Sequence, residues 1–169
     1  ENSSSASAGA GSSLLEFSVT EGKTHLLGRL LETHAAAPDA RLLSLAIEQG
    51  NLEVMKILVQ NRAPLYNLDE LDGSTALMLA SRSGNVDMVH YLCKLSCRHY
   101  LDYTSSFGSS AVSCAYAASK AEVLYILTVL YGAVLPVVSS LHVKRYSLML
   151  SLGEQSYKSR CERKGISVD

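Results

Sequence analysis

Four side chains that can bind zinc lie within ten residues of one another: His90, Cys93, Cys97 and His99. Zinc takes thiolate and imidazole ligands in structural sites, and the first three residues fall on roughly one face of a helix. The spacing matches no common zinc module, however, and Cys93 belongs to an apolar stripe of helical period. We therefore interpret both cysteines as small buried fillers, expect His90 to point to solvent, and predict no metal site.

The remaining side chains offer little for catalysis. The sequence has no glycine-rich phosphate loop, no nucleophile elbow and no paired carboxylates beside a histidine. His25 and His34 flank a leucine-rich segment, and we interpret them as surface or packing residues. The sequence therefore predicts a protein that is not an enzyme and that binds no cofactor.

Composition is that of a folded domain without a polyanionic partner. The 169 residues are 47% hydrophobic and 18% charged, and 15 basic residues nearly balance 16 acidic ones. No excess of positive charge attracts nucleic acid or an anionic membrane. Four irregularly spaced cysteines and no apolar leader indicate reduced thiols and a cytoplasmic, intracellular protein. The chain begins at Glu1 rather than Met, which suggests a processed product or a segment of a longer protein.

Two stretches of the sequence repeat one another at a distance of 34 residues. Aligning Gly50 of LLSLAIEQGNLEVMKIL with Gly84 of DGSTALMLASRSGNVDMVHYL brings Ala46 onto Ala80 and apolar positions onto apolar positions. In each stretch a glycine separates two apolar runs of helical period. A repeat of this length predicts a stack of small units, none of which buries its apolar face alone.

The pattern of two helices around a turn can be counted four times. The units are 13–35, 41–63, 72–97 and 107–133, with a partial fifth unit at 139–155, and Ser119 replaces the turn glycine in the fourth. The repeat domain is therefore predicted to span 13–152. Residues 1–12, rich in Ser, Ala and Gly, are predicted to be a flexible arm, and 153–169 a polar C-terminal cap or tail.

The stretch TALMLA at residues 75–80 resembles the T-P-L-H-x-A core of ankyrin repeats, with Ala in place of Pro and Met in place of His. In the repeat phase Gly73 belongs to a tight turn and Gly84 to a left-handed helix end. Met88, Val89 and Leu92 form the buried stripe of the following helix. The resemblance implies an all-α fold, an α-solenoid of about four to five stacked ankyrin-type helix-turn-helix repeats with short finger loops.

The resemblance also implies binding of a protein partner through the finger loops and the concave helix face. The finger residues selected by the repeat phase are Leu71, Asp72, Ser74, Phe107 and Ser109. The concave-face residues are Glu48, Gln49, Arg82, Ser83, Ala117 and Ala118. Leu71 and Phe107 are candidate apolar anchors, with packing inside their loops as the alternative, and Arg82 has the alternative of a solvated charge.

These features predict a monomeric, non-catalytic interaction module, a scaffold or adaptor for a protein whose identity the sequence leaves open. One alternative is a regulatory or targeting segment of a larger enzyme such as a protein kinase. A second is a membrane-anchored ankyrin protein, because Val123 to Val143 contains no Asp, Glu, Lys or Arg. A helix followed by a turn between Gly132 and Pro136 is the preferred interpretation of that segment.

Overall fold

Helices make up the regular structure of this chain. The computed structural model describes residues 5–33, 38–69, 71–95, 98–134 and 140–166. Within these ranges the extended structure is limited to one isolated antiparallel bridge between Thr104 and Ser110. The predicted all-α repeat fold is thus confirmed. The chain divides into two compact units, Glu1–Ala76 and Leu77–Asp169, which we call unit 1 and unit 2.

Unit 1 contains two helix pairs. The first pair is α1 (Ser5–Thr20) and α2 (Thr24–Thr33), and the second is α3 (Ala40–Glu48) and α4 (Leu52–Gln60). Asp39 caps α3 by accepting a hydrogen bond from the Leu42 N–H at 2.9 Å, and Asn51 caps α4 by accepting one from the Val54 N–H at 3.1 Å. α1 begins at Ser5, so residues 5–12, expected as a flexible arm, are helical.

Unit 2 contains most of the third pair, the fourth pair and a long last helix. These helices are α5 (Ala76–Ser83), α6 (Val86–Leu95), α7 (Arg98–Leu101), α8 (Ala111–Ala117), α9 (Ala121–Tyr125) and α10 (Ser140–Arg163). α9 continues into a π-helical turn, Ile126–Leu130. The predicted stripe of α6, Met88, Val89 and Leu92, is fully buried, as its helical spacing indicates.

Each helix pair turns at a residue with a left-handed backbone. The φ angles are 64° at Gly22, 72° at Gly50, 82° at Gly84 and 56° at Ser119. At Gly50 the turn is a Schellman motif, because Gly50 N–H donates to the Ile47 carbonyl and Asn51 N–H to the Ala46 carbonyl. Ser119 adopts the same left-handed conformation although it carries a side chain. The fourth pair therefore keeps the turn without the glycine.

Two short finger loops precede helices, as predicted. In unit 1 the Leu68 N–H donates to the Ser74 carbonyl at 2.8 Å and the Ala76 N–H to the Leu65 carbonyl at 2.9 Å. In unit 2 the Ser105 N–H donates to the Ser109 carbonyl at 2.8 Å, next to the Thr104–Ser110 bridge. The loop between α2 and α3 includes residues 34–37, which lie outside the described residues.

One helix of 24 residues, α10, spans most of the predicted partial unit at 139–155 and continues into the segment predicted as a polar cap or tail at 153–169. α10 buries Tyr146, Met149 and Cys161, while Gly153 touches α9 closely enough that an added Cβ would lie 2.8 Å from the Tyr125 Cβ. The polar end, predicted as a cap or tail, is helical as far as Arg163, and two of its charges pair with residues of α9 and α6. Arg160 pairs with Glu122 at 2.5 Å.

A second ion pair anchors the same end. Lys164 pairs with Asp87 at 2.8 Å, and this hydrogen bond lowers the pKa of the Asp87 carboxyl despite its partial burial. The hydrogen bond to Glu122 likewise raises the pKa of Arg160. Both shifts favour the charged forms, so the pairs persist at neutral pH.

The uncharged segment Val123 to Val143 is not a continuous helix. Its helical part ends at Leu130, and Gly132 has a φ of 66°, which turns the chain as the preferred interpretation required. Pro136 lies outside the described residues. In the part of the chain that the structure describes, every helix is too short or too polar to cross a membrane.

The left-handed turn at Gly84 yields a first prediction. We expect Gly84→Val to lower the free energy of unfolding by more than about 1 kcal/mol, because a β-branched residue is strained at positive φ. Thermal or urea unfolding measures the loss. Ser83→Val, one residue earlier and outside the left-handed region, is the matched control. Equal melting temperatures for the two variants would contradict the role of the turn.

Two helical glycines yield a second prediction. Gly28 has open space where a Cβ would lie, whereas a Cβ on Gly153 would overlap the Ala121 carbonyl, 2.7 Å from its carbon. Gly28→Ala should therefore stabilise the protein by about 0.5–1 kcal/mol through helix propensity. Gly153→Ala should destabilise it and speed amide exchange along α10, measured by hydrogen exchange and mass spectrometry. Stabilisation by both variants would show that α10 does not pack closely on α9.

Candidate functional site

A concave groove of about 450 Å³ lies on unit 2. Its lining residues come from the end of α5, the second finger and the exposed face of α8: Arg82, Ser109, Ser113, Cys114, Ala117 and Ala118. Five of these six residues have side chains of one or two heavy atoms, so small side chains line most of the groove. This volume falls in the range of roughly 300–1,000 Å³ that is typical of ligand sites.

The packing of α8 decides which residues face the groove. Ala111, Val112 and Ala115 are buried in the core, and these positions recur at helical spacing. Ser113 completes a capping box with Ser110, in which each side chain accepts from the other backbone N–H. The remaining face of α8 is left to line the groove.

Four predicted site residues meet in this groove: Arg82, Ser109, Ala117 and Ala118. Sequence reasoning missed Ser113 and Cys114. Both lie one helical turn before the predicted alanines, so extending the exposed face of α8 by three or four residues would have found them. Ser83 is exposed near Arg82, and its hydroxyl donates to the Ala80 carbonyl at 2.9 Å.

Phe107 projects from the tip of the second finger. Its side chain is 77% exposed, and Gly108 next to it has a φ of 74° that closes the turn. Ser109, two residues further, lines the groove. The alternative that Phe107 packs inside its own loop is therefore ruled out.

The predicted site residues of unit 1 do not all reach the surface. Leu71 is 85% exposed, and Glu48 and Gln49 are exposed at the end of α3. Asp72 is half-buried because its carboxylate accepts from the Ser74 N–H at 2.7 Å. Ser74 is only 7% exposed, and its backbone closes the finger, so it is not accessible to a partner as predicted.

Among the described residues that line the groove, Arg82 is the only charged one. It is exposed, and it forms no ion pair with any residue that the structure describes. An unpaired guanidinium offers five N–H donors in a planar fork, which suits a carboxylate. The groove thus combines a floor of small side chains with one strong anion-binding group.

The structure describes three of the four potential zinc ligands, His90, Cys93 and His99. His90 is half-buried rather than directed to solvent as predicted, because its Nδ1 lies 3.1 Å from the Tyr131 hydroxyl. Burial raises the pKa of Cys93 to about 12, so its thiol stays protonated at neutral pH and is not poised as a ligand or nucleophile. Burial also lowers the pKa of His90, which keeps its imidazole neutral. His99 is exposed, and Cys97 lies outside the described residues. Over the described ranges no three His, Cys, Asp or Glu side chains form a metal-binding group.

Of the two isolated histidines, the structure describes His25. It is exposed at the start of α2, in agreement with its interpretation as a surface residue, and it does not line the groove. His34 lies outside the described ranges.

Comparison with known proteins identifies the family. A family model described as ankyrin repeats, in three copies, matches residues 15–103, which is more than half of the chain. The match covers the first three helix pairs, and the pair formed by α8 and α9 lies beyond it. No curated protein matches the sequence. The chain belongs to the ankyrin-repeat family.

Proposed function

We propose that this protein is a non-catalytic interaction module whose groove on unit 2 binds a segment of a partner protein. Ankyrin repeats in general are protein interaction modules, and ankyrin-repeat domains are typically non-catalytic. The observation that carries the proposal is the groove itself, which collects four of the residues selected from the repeat phase.

The shape of the groove suits a polypeptide better than a compact small molecule. Its floor of alanine, serine and cysteine lets a bound backbone come close, and few side chains stand in the way. Phe107 beside it is an exposed aromatic ring, the kind of residue that contributes strongly to protein interfaces. The apolar residues of α8 that could supply more contact are already committed to the core.

The exposed finger of unit 1 belongs to the proposal as a separate contact. Leu71 stands at its tip with almost all of its surface in water, so its side chain is accessible to a partner. Glu48 and Gln49 remain candidate contacts on the same unit. These residues are tested one at a time, independently of the groove.

A photo-crosslinking experiment tests the proposal. Phe107 is replaced by benzoylphenylalanine in cells that express the protein, and adducts are identified by mass spectrometry. We expect discrete protein adducts that disappear when Ala117→Phe, a change at an exposed position, fills the groove. The matched control is Ser147→Phe on the exposed face of α10, which should leave the adducts unchanged.

One outcome of the crosslinking experiment would contradict the proposal. Adducts that survive Ala117→Phe, in a variant whose circular dichroism and melting temperature match the wild type, would place the interaction away from the groove. The same comparison with the crosslinker at Leu71 shows whether the first finger contacts the same adduct partner or none.

A further inference from the structure

The charges of the chain are divided unevenly between its two units. Residues 1–76 contain five Lys and Arg against ten Asp and Glu, whereas residues 77–169 contain ten against six. The near-neutral total therefore conceals a positive unit 2, and a positive field favours the approach of negatively charged partners. The position of each charge decides where such a partner would bind.

Two cations lie at the C-terminal end of α8, where the groove is. Arg82 lines the groove together with Ala117 and Ala118. Arg145, from α10, donates through its Nη2 to the Ser119 hydroxyl at 3.0 Å, and its guanidinium lies 5.2 Å from the centre of the Tyr116 ring. The hydrogen bond and the ring hold this guanidinium in place next to the last residues of α8.

Lys120 is the third cation at the same place. It follows Ser119 directly, and its side chain crosses the turn at Gly84, where an added Cβ would lie 2.6 Å from the lysine Cδ. Gly84 is two residues beyond Arg82, so the lysine stem runs close to the end of α5. We call Arg82, Lys120 and Arg145 the cationic rim.

Four of the carboxylates of unit 2 that the structure describes have other partners. Asp87 pairs with Lys164 at 2.8 Å, Glu122 with Arg160 at 2.5 Å, and Glu154 with Lys158 at 2.6 Å. The Asp102 carboxylate accepts from the Val134 N–H at 2.8 Å, and Glu162 lies in the last turn of α10. Within the described part of the chain, the rim cations therefore have no carboxylate partner.

We propose, on the basis of the proposed function, that the groove binds an acidic protein segment in an extended conformation. The segment places its carboxylates against the cationic rim and small side chains against the floor formed by Cys114, Ala117 and Ala118. One cation that lines the groove and two beside the turn that follows α8 fit a narrow polypeptide. A flat lipid surface would instead favour a continuous basic face with apolar residues to insert.

Fluorescence anisotropy with defined peptides tests this proposal. The probes are a labelled ten-residue peptide that alternates Glu and Ala, the same peptide with Gln for Glu, and one with Lys for Glu. We expect the Glu peptide alone to bind, with an affinity that falls as NaCl is raised. Each of Arg82→Gln, Lys120→Gln and Arg145→Gln should weaken binding about two- to fivefold, and the triple variant at least about tenfold.

Lys94→Gln is the matched control, because this exposed lysine on α6 removes the same charge without lining the groove. It should change the affinity less than twofold. If Lys94→Gln weakens peptide binding as much as the rim variants do, net charge alone explains the effect, and the proposal is overturned. Tighter binding to vesicles containing phosphatidylserine than to the Glu peptide would also overturn it, as would rim-dependent self-association in light scattering.

The failure of this inference is distinguishable from failure of the proposed function. If Ala117→Phe abolishes the crosslinks at Phe107 but the triple rim variant does not, the groove binds a partner that is not acidic. If neither variant affects the crosslinks, the groove is not the binding surface.

Discussion

The fold depends on a left-handed residue after the first helix of every pair. At Gly22, Gly50, Gly84 and Ser119 the chain leaves one helix and enters the next within a few residues. The bonds at these turns satisfy carbonyls that a helix end would otherwise leave open. Because the reversal is this tight, the second helix of each pair lies against the first, and the apolar stripes of both helices can enter one core.

The groove is a consequence of the same constraint. Once α8 commits Val112 and Ala115 to the core, only small or polar residues remain on its other face. Arg82 lines the groove from the last turn of α5, while the Lys120 stem crosses the turn at Gly84 and Arg145 bonds to Ser119 just after α8. One of these cations is placed by a helix, one by a turn and one by the packing of α10 on unit 2. The groove is therefore built from three neighbouring elements of unit 2, and no single helix holds it.

Local features of this fold could be predicted from the sequence, and long-range ones could not. The repeat phase predicted the turns at Gly50 and Gly84 and the buried stripe of α6, because these features depend on residues a few positions apart. It also predicted that Arg82, Ala117 and Ala118 are surface residues. The partner of His90 is Tyr131, 41 residues away, so nothing in the local pattern could show that His90 is partly buried.

The sequence did not predict that α10 continues to its full length, for a similar reason. Its last turns look like a polar tail until Arg160 and Lys164 are seen to pair with Glu122 and Asp87, which are 38 and 77 residues away. The repeat phase predicts that Ser74 is a finger contact because of its position. In the structure its backbone groups bond within the finger, and the residue is buried. Arg145 was missed because no repeat position corresponds to it.

The most direct test of the central claim is the rate at which neutral iodoacetamide alkylates Cys114, which lines the groove, with and without the Glu-Ala peptide. The rate is read for each cysteine separately by mass spectrometry. Cys93, buried with a pKa of about 12, provides an internal reference that should stay unreactive. The account predicts that saturating peptide slows alkylation of Cys114 several-fold and that Ala117→Phe slows it without peptide. An unchanged Cys114 rate at a peptide concentration that saturates the anisotropy signal would show that the peptide binds outside the groove, and would contradict the account.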